Sequence, residues 1–202
     1  MTVPGLEWNS KYPMDLKSLE KSVDFFNVFS MNYYTGNLTG PPSPLFSGIG
    51  PFRGFNVDKT MKSLTCRIQN PNKLNMGVPF YGQLWTRVSK IEDQNIWTTG
   101  HLDRQIPWRI LSKNPNFETQ KWHRNTMTPF IYDSGTFLGF ENPKSLEKKM
   151  GYLTKRNLGG VMIESIGDDD EMSSLLDSVV RSIGCQKKEE IIDNYECLKI
   201  SN

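Results

Sequence analysis

The chain has 202 residues, of which 37 % are hydrophobic and 11 % aromatic. That is enough apolar material for a packed core and argues against general disorder. Its 24 basic and 22 acidic residues leave a net charge of +2, so no large field points to nucleic acid or a membrane surface. No apolar run approaches the roughly 20 residues of a membrane span. Met1-Thr2-Val3-Pro4-Gly5 has neither the basic start nor the apolar stretch of a signal peptide. Three cysteines, Cys66, Cys185 and Cys197, give an odd count, no metal-ligand spacing and no clear disulfide framework.

Residues 1–4 read as the tail of a strand, and 15–22 as a short helical stretch with Leu16 and Leu19 three apart. Val23 to Met31 (VDFFNVFSM) is a nearly continuous apolar run, the pattern of a parallel strand covered on both faces. A loop rich in Gly, Pro and Ser occupies 35–54. Asn56 caps a predicted helix in which Val57, Met61, Leu64 and Ile68 repeat at helical spacing. Leu74 to Tyr81 reads as a second strand.

The segment 83–140 carries Trp, Thr and turn residues without helical periodicity and is expected to form an inserted α+β lobe. Asn142-Pro143 opens a helix with a cap and a first-turn proline, and Leu146, Met150 and Leu153 make its apolar stripe. Lys148 and Lys149 are expected on that helix's solvated face. Gly159-Gly160 permits the turn into a strand at 158–166 and is not a phosphate loop. Asp168, Asp169, Asp170 and Glu171 precede a last helix, where negative charge suits the helix dipole. Met172, Leu175, Leu176, Val179, Val180 and Ile183 are expected to form its buried face. The tail 185–202 is charged and poorly patterned.

Strands alternating with helices imply an α/β fold with a parallel sheet. The three and a half units correspond to about half of an eight-fold barrel of about 250 residues. Three stretches carry a resemblance: VDFFNVFSMNYYTG, NMGVPFYGQLW and FENPKSLEKKMGYLTKRNLGGVMIESIGDDD. They resemble, in order, the sixth strand, seventh strand, and seventh helix with eighth strand of glycoside hydrolase family 18, the chitinases. FSMNYYTG with the loop TGPPSPLFSG resembles the divergent chitinase-like branch common in nematodes. The resemblance covers about residues 1–183. It implies a partial (β/α)8 TIM barrel (about strands 5–8), residues 1–184, with an α+β insertion after the seventh strand. It also implies binding of β-1,4-linked N-acetylglucosamine, that is chitin or chito-oligosaccharide, at the C-terminal ends of the strands, and a place outside the cell. The N-terminal half of the barrel is expected to be missing from this chain.

Family hydrolysis uses the substrate's own acetamido group and one protein acid, the Glu ending a D-x-x-D-x-D-x-E motif. That spacing is absent here; the cluster Asp168 to Glu171 does not reproduce it. No catalytic residue, cofactor or metal site is therefore expected. Aligned without gaps, the family's M-x-Y-D falls on Phe29-Ser30-Met31-Asn32, which replaces a tyrosine hydroxyl with Met31 and a carboxylate with Asn32. A two-residue slip onto Met31-Asn32-Tyr33-Tyr34 keeps the tyrosine but still loses the Asp. Tyr81 is retained, either as a sugar contact or as a packed strand-end tyrosine. The family Arg becomes Gln83. The family Trp that floors the sugar becomes Glu164, which is either a new acid or base or the mark of a pocket that no longer stacks sugar.

Of Trp85, Trp97, Trp108 and Trp122, only Trp85 is expected near the cleft; the common fate of tryptophan is packing. His101 and His123 have no H-E-x-x-H spacing and are expected to be bland. Asn37 heads the sequon Asn37-Leu38-Thr39, which counts only if the chain is secreted. Three functions stay open: a glycan-binding protein without activity, a fragment of an active chitinase, and a truncated product with no independent function.

Overall fold

The structure, a computed structural model, describes residues 1–5, 14–48, 55–91, 95–184 and 192–197. It opens with β1 (Thr2–Pro4), α1 (Leu16–Leu19), β2 (Phe26–Phe29), α2 (Val57–Thr65) and β3 (Leu74–Pro79). Then come β4 (Tyr81–Thr86), β5 (His101–Pro107), α3 (Trp108–Leu111), β6 (Lys121–His123), β7 (Thr128–Asp133) and β8 (Thr136–Gly139). The last elements are α4 (Pro143–Lys155), β9 (Gly160–Glu164) and α5 (Ser174–Gly184).

Two sheets result. The strands β1-β2-β3-β9 form a four-stranded sheet in that order, parallel throughout, with Val28 opposite Val3 and Met76, and Met76 opposite Val161. Phe26, Val28, Met76 and Val78 are completely buried, which is why the strand sequences read as apolar runs rather than as alternation. This is an α/β architecture. Among the described residues the sheet does not close into a barrel, and β1 and β9 each have one neighbour. The second sheet is five-stranded, antiparallel, in the order β5-β4-β8-β7-β6. Only Phe80 separates β3 from β4, so the chain passes directly from one sheet to the other.

Several expectations are corrected. The apolar run 23–31 is in strand only at Phe26–Phe29, because Ser30 N–H turns back onto the Val28 carbonyl (2.8 Å) and leaves the ladder. Tyr81 starts β4 rather than ending β3. Lys149 is not on a solvated face. Its side chain is fully buried against Glu141, in the turn that precedes α4, whereas Lys148 is exposed. The wide apolar face expected on α5 is buried only at Leu175 and Val179, with Leu176 half-buried; Met172, Val180 and Ile183 are exposed, at 83, 59 and 41 %. No described element lies over that flank.

α4 follows its sequence. Asn142 and Ser145 exchange side-chain to backbone hydrogen bonds in a capping box, Pro143 takes the first turn, and Leu146, Met150 and Leu153 are buried. The cysteines do form one bridge, Cys66–Cys197, which ties residues 192–197 to the end of α2. Cys185 lies outside the described residues.

Candidate functional site

The polar cluster at the C-terminal ends of β2 and β3 is built on Ser30 and Gly77. Ser30 Oγ donates to the Gly77 carbonyl (3.0 Å) and accepts from Gly77 N–H (2.9 Å). A Cβ on Gly77 would lie 2.5 Å from both the Val28 carbonyl oxygen and Met31 Cε, so only glycine lets the two strand ends approach. Met31 is buried and Phe29 half-buried; neither brings a polar side chain.

Asn32 follows with φ +55°, a left-handed conformation that asparagine adopts more readily than most residues. The turn aims its side chain at β4 and β5. Asn32 Oδ1 accepts from Tyr81 Oη (3.0 Å) and Gln83 Nε2 (3.2 Å), with Gln105 Nε2 at 3.5 Å. The structure thus brings together three sequence-predicted residues, Asn32, Tyr81 and Gln83, and adds Gln105 from β5. Gln105 was missed because an exposed glutamine on an antiparallel strand carries no signal of its own. Gln83 is buried, and its Oε1 has no hydrogen-bond partner among the described residues.

Tyr81 is 5 % exposed. Burial pushes its phenol well above the usual tyrosine range, the hydrogen bond with Asn32 pulls the other way, and the nearby negative charges of Glu164 and Asp168 raise it further. Tyr81 is therefore a neutral hydroxyl at physiological pH. Glu164 ends β9 opposite Pro79, and its backbone carbonyl accepts from Phe80 N–H (2.7 Å). The side chain is half-buried beside this cluster.

The acidic turn is structural. Asp169 Oδ1 and Oδ2 accept from the Leu175 and Leu176 amides, capping α5. Asp170 Oδ2 accepts from Trp108 Nε1 (3.0 Å) and Ser174 Oγ (2.6 Å). Asp168 pairs with Arg109 at 3.0 Å. α3 of the antiparallel unit is in this way clamped to the end of the parallel sheet.

Other candidates fall outside the cluster. Trp85, expected near the cleft, is fully buried and shows no ring face to a ligand. It lies on β4, the strand between β5 and β8, and belongs to the hydrophobic core. Trp97 and Trp108 are also buried, and Trp122 is half-buried beneath Lys144 Nζ at 4.2 Å. His101 and His123 sit on β5 and β6, the opposite edges of their sheet. His123 is buried and bonded to Thr126. No group of three His, Cys, Asp or Glu residues with metal-holding geometry occurs among the described residues. Asn37 is exposed, while Thr39 of its sequon is buried and donates to the Ile96 carbonyl (2.6 Å).

Residues 1–169 match the family model described as Glycosyl hydrolases family 18. This chain belongs to that family. Nod factor hydrolase protein 1 of Medicago truncatula is 26 % identical over 170 residues, covering 78 % of this chain and 42 % of the relative. Among solved structures, the chitinase of Rhizomucor miehei superposes with a TM-score of 0.78 at 20 % identity, over 90 % of this chain and 60 % of that one. Human YKL-39, described as a pseudo-chitinase with retained chitooligosaccharide binding properties, superposes with a TM-score of 0.71 at 24 % identity, over 84 % of this chain and 53 % of that one. These likenesses give a TIM-barrel-type α/β fold. The chain spans about half the length, or less, of the curated family 18 relatives it matches.

Proposed function

We propose that this chain is a chitinase-like protein that binds chitin or chito-oligosaccharide at the C-terminal ends of its parallel strands without cleaving it. The four parallel strands are read as strands five to eight of the family barrel, and the antiparallel unit as its inserted lobe. The observation that carries the reading is the placement of Asn32 between Tyr81 and Gln83. In the ungapped alignment Asn32 stands where the family has the Asp that steadies the acetamido group and the positive charge it develops. An amide can hold a sugar by hydrogen bonds but brings no negative charge. Loss of one positioned electrostatic stabiliser costs a reaction about 100- to 1000-fold. The substitution of Glu164 for the family Trp removes a stacking floor as well, and the D-x-x-D-x-D-x-E spacing does not occur in this sequence. The likeness to YKL-39, a binder described as a pseudo-chitinase, supports the same reading. Family resemblance further suggests a place outside the cell.

The test pairs titration calorimetry on chito-oligosaccharides with release of fluorophore from fluorogenic chito-oligosaccharides. Binding with no release is expected; turnover by the purified chain rejects the reading. One observation favours a second reading, a fragment of an active chitinase: the chain corresponds to only part of its relatives' length. A longer form of the polypeptide that carries the acid motif and releases fluorophore at ordinary family rates would establish it.

A further inference from the structure

We infer that Glu164 makes this site select a sugar bearing a free ammonium group, as in a deacetylated chito-oligosaccharide, over its fully N-acetylated counterpart. This rests on the glycan-binding reading above. Glu164 ends β9 opposite Pro79, two residues before Tyr81 opens β4, and is fixed there by the pairing of β3 with β9 and by the Phe80 amide on the Glu164 carbonyl. Its side chain is half out of water, yet among the described residues no cation and no hydrogen-bond donor meets the carboxyl. A partly desolvated carboxylate without a counter-charge is unfavourable, and one that gains a cation recovers that cost.

The surrounding groups do not supply the charge. Asn32 Oδ1 is occupied by the Tyr81 hydroxyl and one N–H of Gln83, and neither residue is a cation. Asp168 adds negative charge, and the nearby Arg109 is committed to Asp168. Among the described residues, the Glu164 carboxyl is therefore left as an acceptor beside Tyr81 with no cation to meet it. An ammonium group offers three donors and a full positive charge, and forms a charge-assisted hydrogen bond with a carboxylate. An acetamido group in the same place offers one weaker N–H and sets a carbonyl and a methyl near the carboxylate, leaving the charge uncompensated.

Titration calorimetry on the whole chain, with tetramers of glucosamine and of N-acetylglucosamine in mildly acidic low-salt buffer, reads this directly. The glucosamine tetramer is expected to bind about tenfold more tightly, the size of one modest charge-assisted hydrogen bond. In Glu164→Gln that preference is expected to vanish while binding of the acetylated tetramer persists. On the unaltered chain it is expected to vanish in alkaline buffer that neutralises the sugar amine, since Tyr81 stays protonated there; this measurement needs no variant to fold. Equal or tighter binding of the acetylated tetramer overturns the inference and leaves the chitin-binding reading standing. Binding of neither tetramer overturns both. A preference that survives in Glu164→Gln removes Glu164 from the account.

Discussion

Lys149 and Glu141 form an ion pair from which solvent is excluded on both sides, each side chain being 0 % exposed. Burial pushes the Glu141 carboxyl up and the Lys149 amine down, while each partner's charge opposes that shift in the other. Lys149 Nζ also donates to the Ser43 carbonyl (2.6 Å), and Glu141 accepts from Ser145 Oγ (2.6 Å). Ser43 Oγ in turn donates to the Ser30 carbonyl (2.8 Å). The pair thus braces the turn that presents Asn32. Lys149→Met leaves a buried carboxylate alone and is expected to lower stability by about 3–5 kcal/mol, with most of the loss recovered in Lys149→Met/Glu141→Leu. Urea unfolding of the two variants decides it; a single variant as stable as the parent contradicts the account.

Asn32 is the shared acceptor of the polar cluster. Asn32→Ala leaves the buried Gln83 amide without its partner and removes the acceptor of the Tyr81 hydroxyl. The expected cost in stability is about 1–3 kcal/mol, the penalty of an orphaned buried polar group. Chito-oligosaccharide affinity should fall by about tenfold or more. Calorimetry against a chitotetraose series, with a melting curve alongside, separates the two effects. A variant that melts lower but binds unchanged places the ligand elsewhere.

Acid should loosen the clamp between α3 and the parallel sheet. Burial pushes the Asp170 carboxyl up, but hydrogen bonds from Ser174 and Trp108 outweigh it and hold the group below its ordinary value of 3.8. A carboxyl depressed in the folded state contributes stability that is fully present above its unfolded value and is lost as pH falls through the folded one. The loss therefore belongs to pH values below about 4. In Asp170→Asn that share of the pH dependence should disappear. Thermal melts of parent and variant across that window test it, and parallel curves would contradict it.

The Cys66–Cys197 bridge spans 131 residues of sequence. In the chain-entropy account a loop of that length restricts the unfolded ensemble by about 5 kcal/mol. Beyond the bridge, the same tail is held by Tyr195 Oη on Asp58 (3.0 Å) and by Arg156 stacked at 4.2 Å on the Tyr195 ring. Cys197→Ser is therefore expected to destabilise by up to about 5 kcal/mol, and mild reductant should do the same to the parent protein. Chemical unfolding with and without reductant measures it; identical midpoints would mean that the bridge does not constrain the unfolded chain.

How far these features could be read from the sequence follows from the kind of signal each leaves. α4 was legible because Asn142, Pro143 and the spacing of Leu146, Met150 and Leu153 all report one element. The parallel strands were legible because burial on both faces leaves an apolar run. Asn32 and Tyr81, 49 residues apart, were placed together only through the family resemblance. Lys149 was misread because helical periodicity treats lysine as a mark of solvent, and its partner Glu141 lies outside the helix. Gln105 reaches the site through the pairing of β5 with β4, which no local pattern encodes. The cysteine pairing was hidden because spacing alone does not choose among three thiols.

α5 is the place where periodicity gives a face but not its neighbour. Leu175 and Val179 pack inward, whereas Met172, Val180 and Ile183 stand on an uncovered flank. β1 and β9 add strand edges with no second neighbour among the described residues. Exposed apolar patches and free strand edges both favour association. The chain should therefore self-associate with rising concentration. A charge placed on the flank, Val180→Lys, should shift it toward monomer without lowering stability, because Val180 makes little buried contact to lose. Light scattering across a concentration series reads this. An unchanged association constant in Val180→Lys would assign the contact to the strand edges instead, and a strictly monomeric parent would remove the premise that this surface is available to another chain.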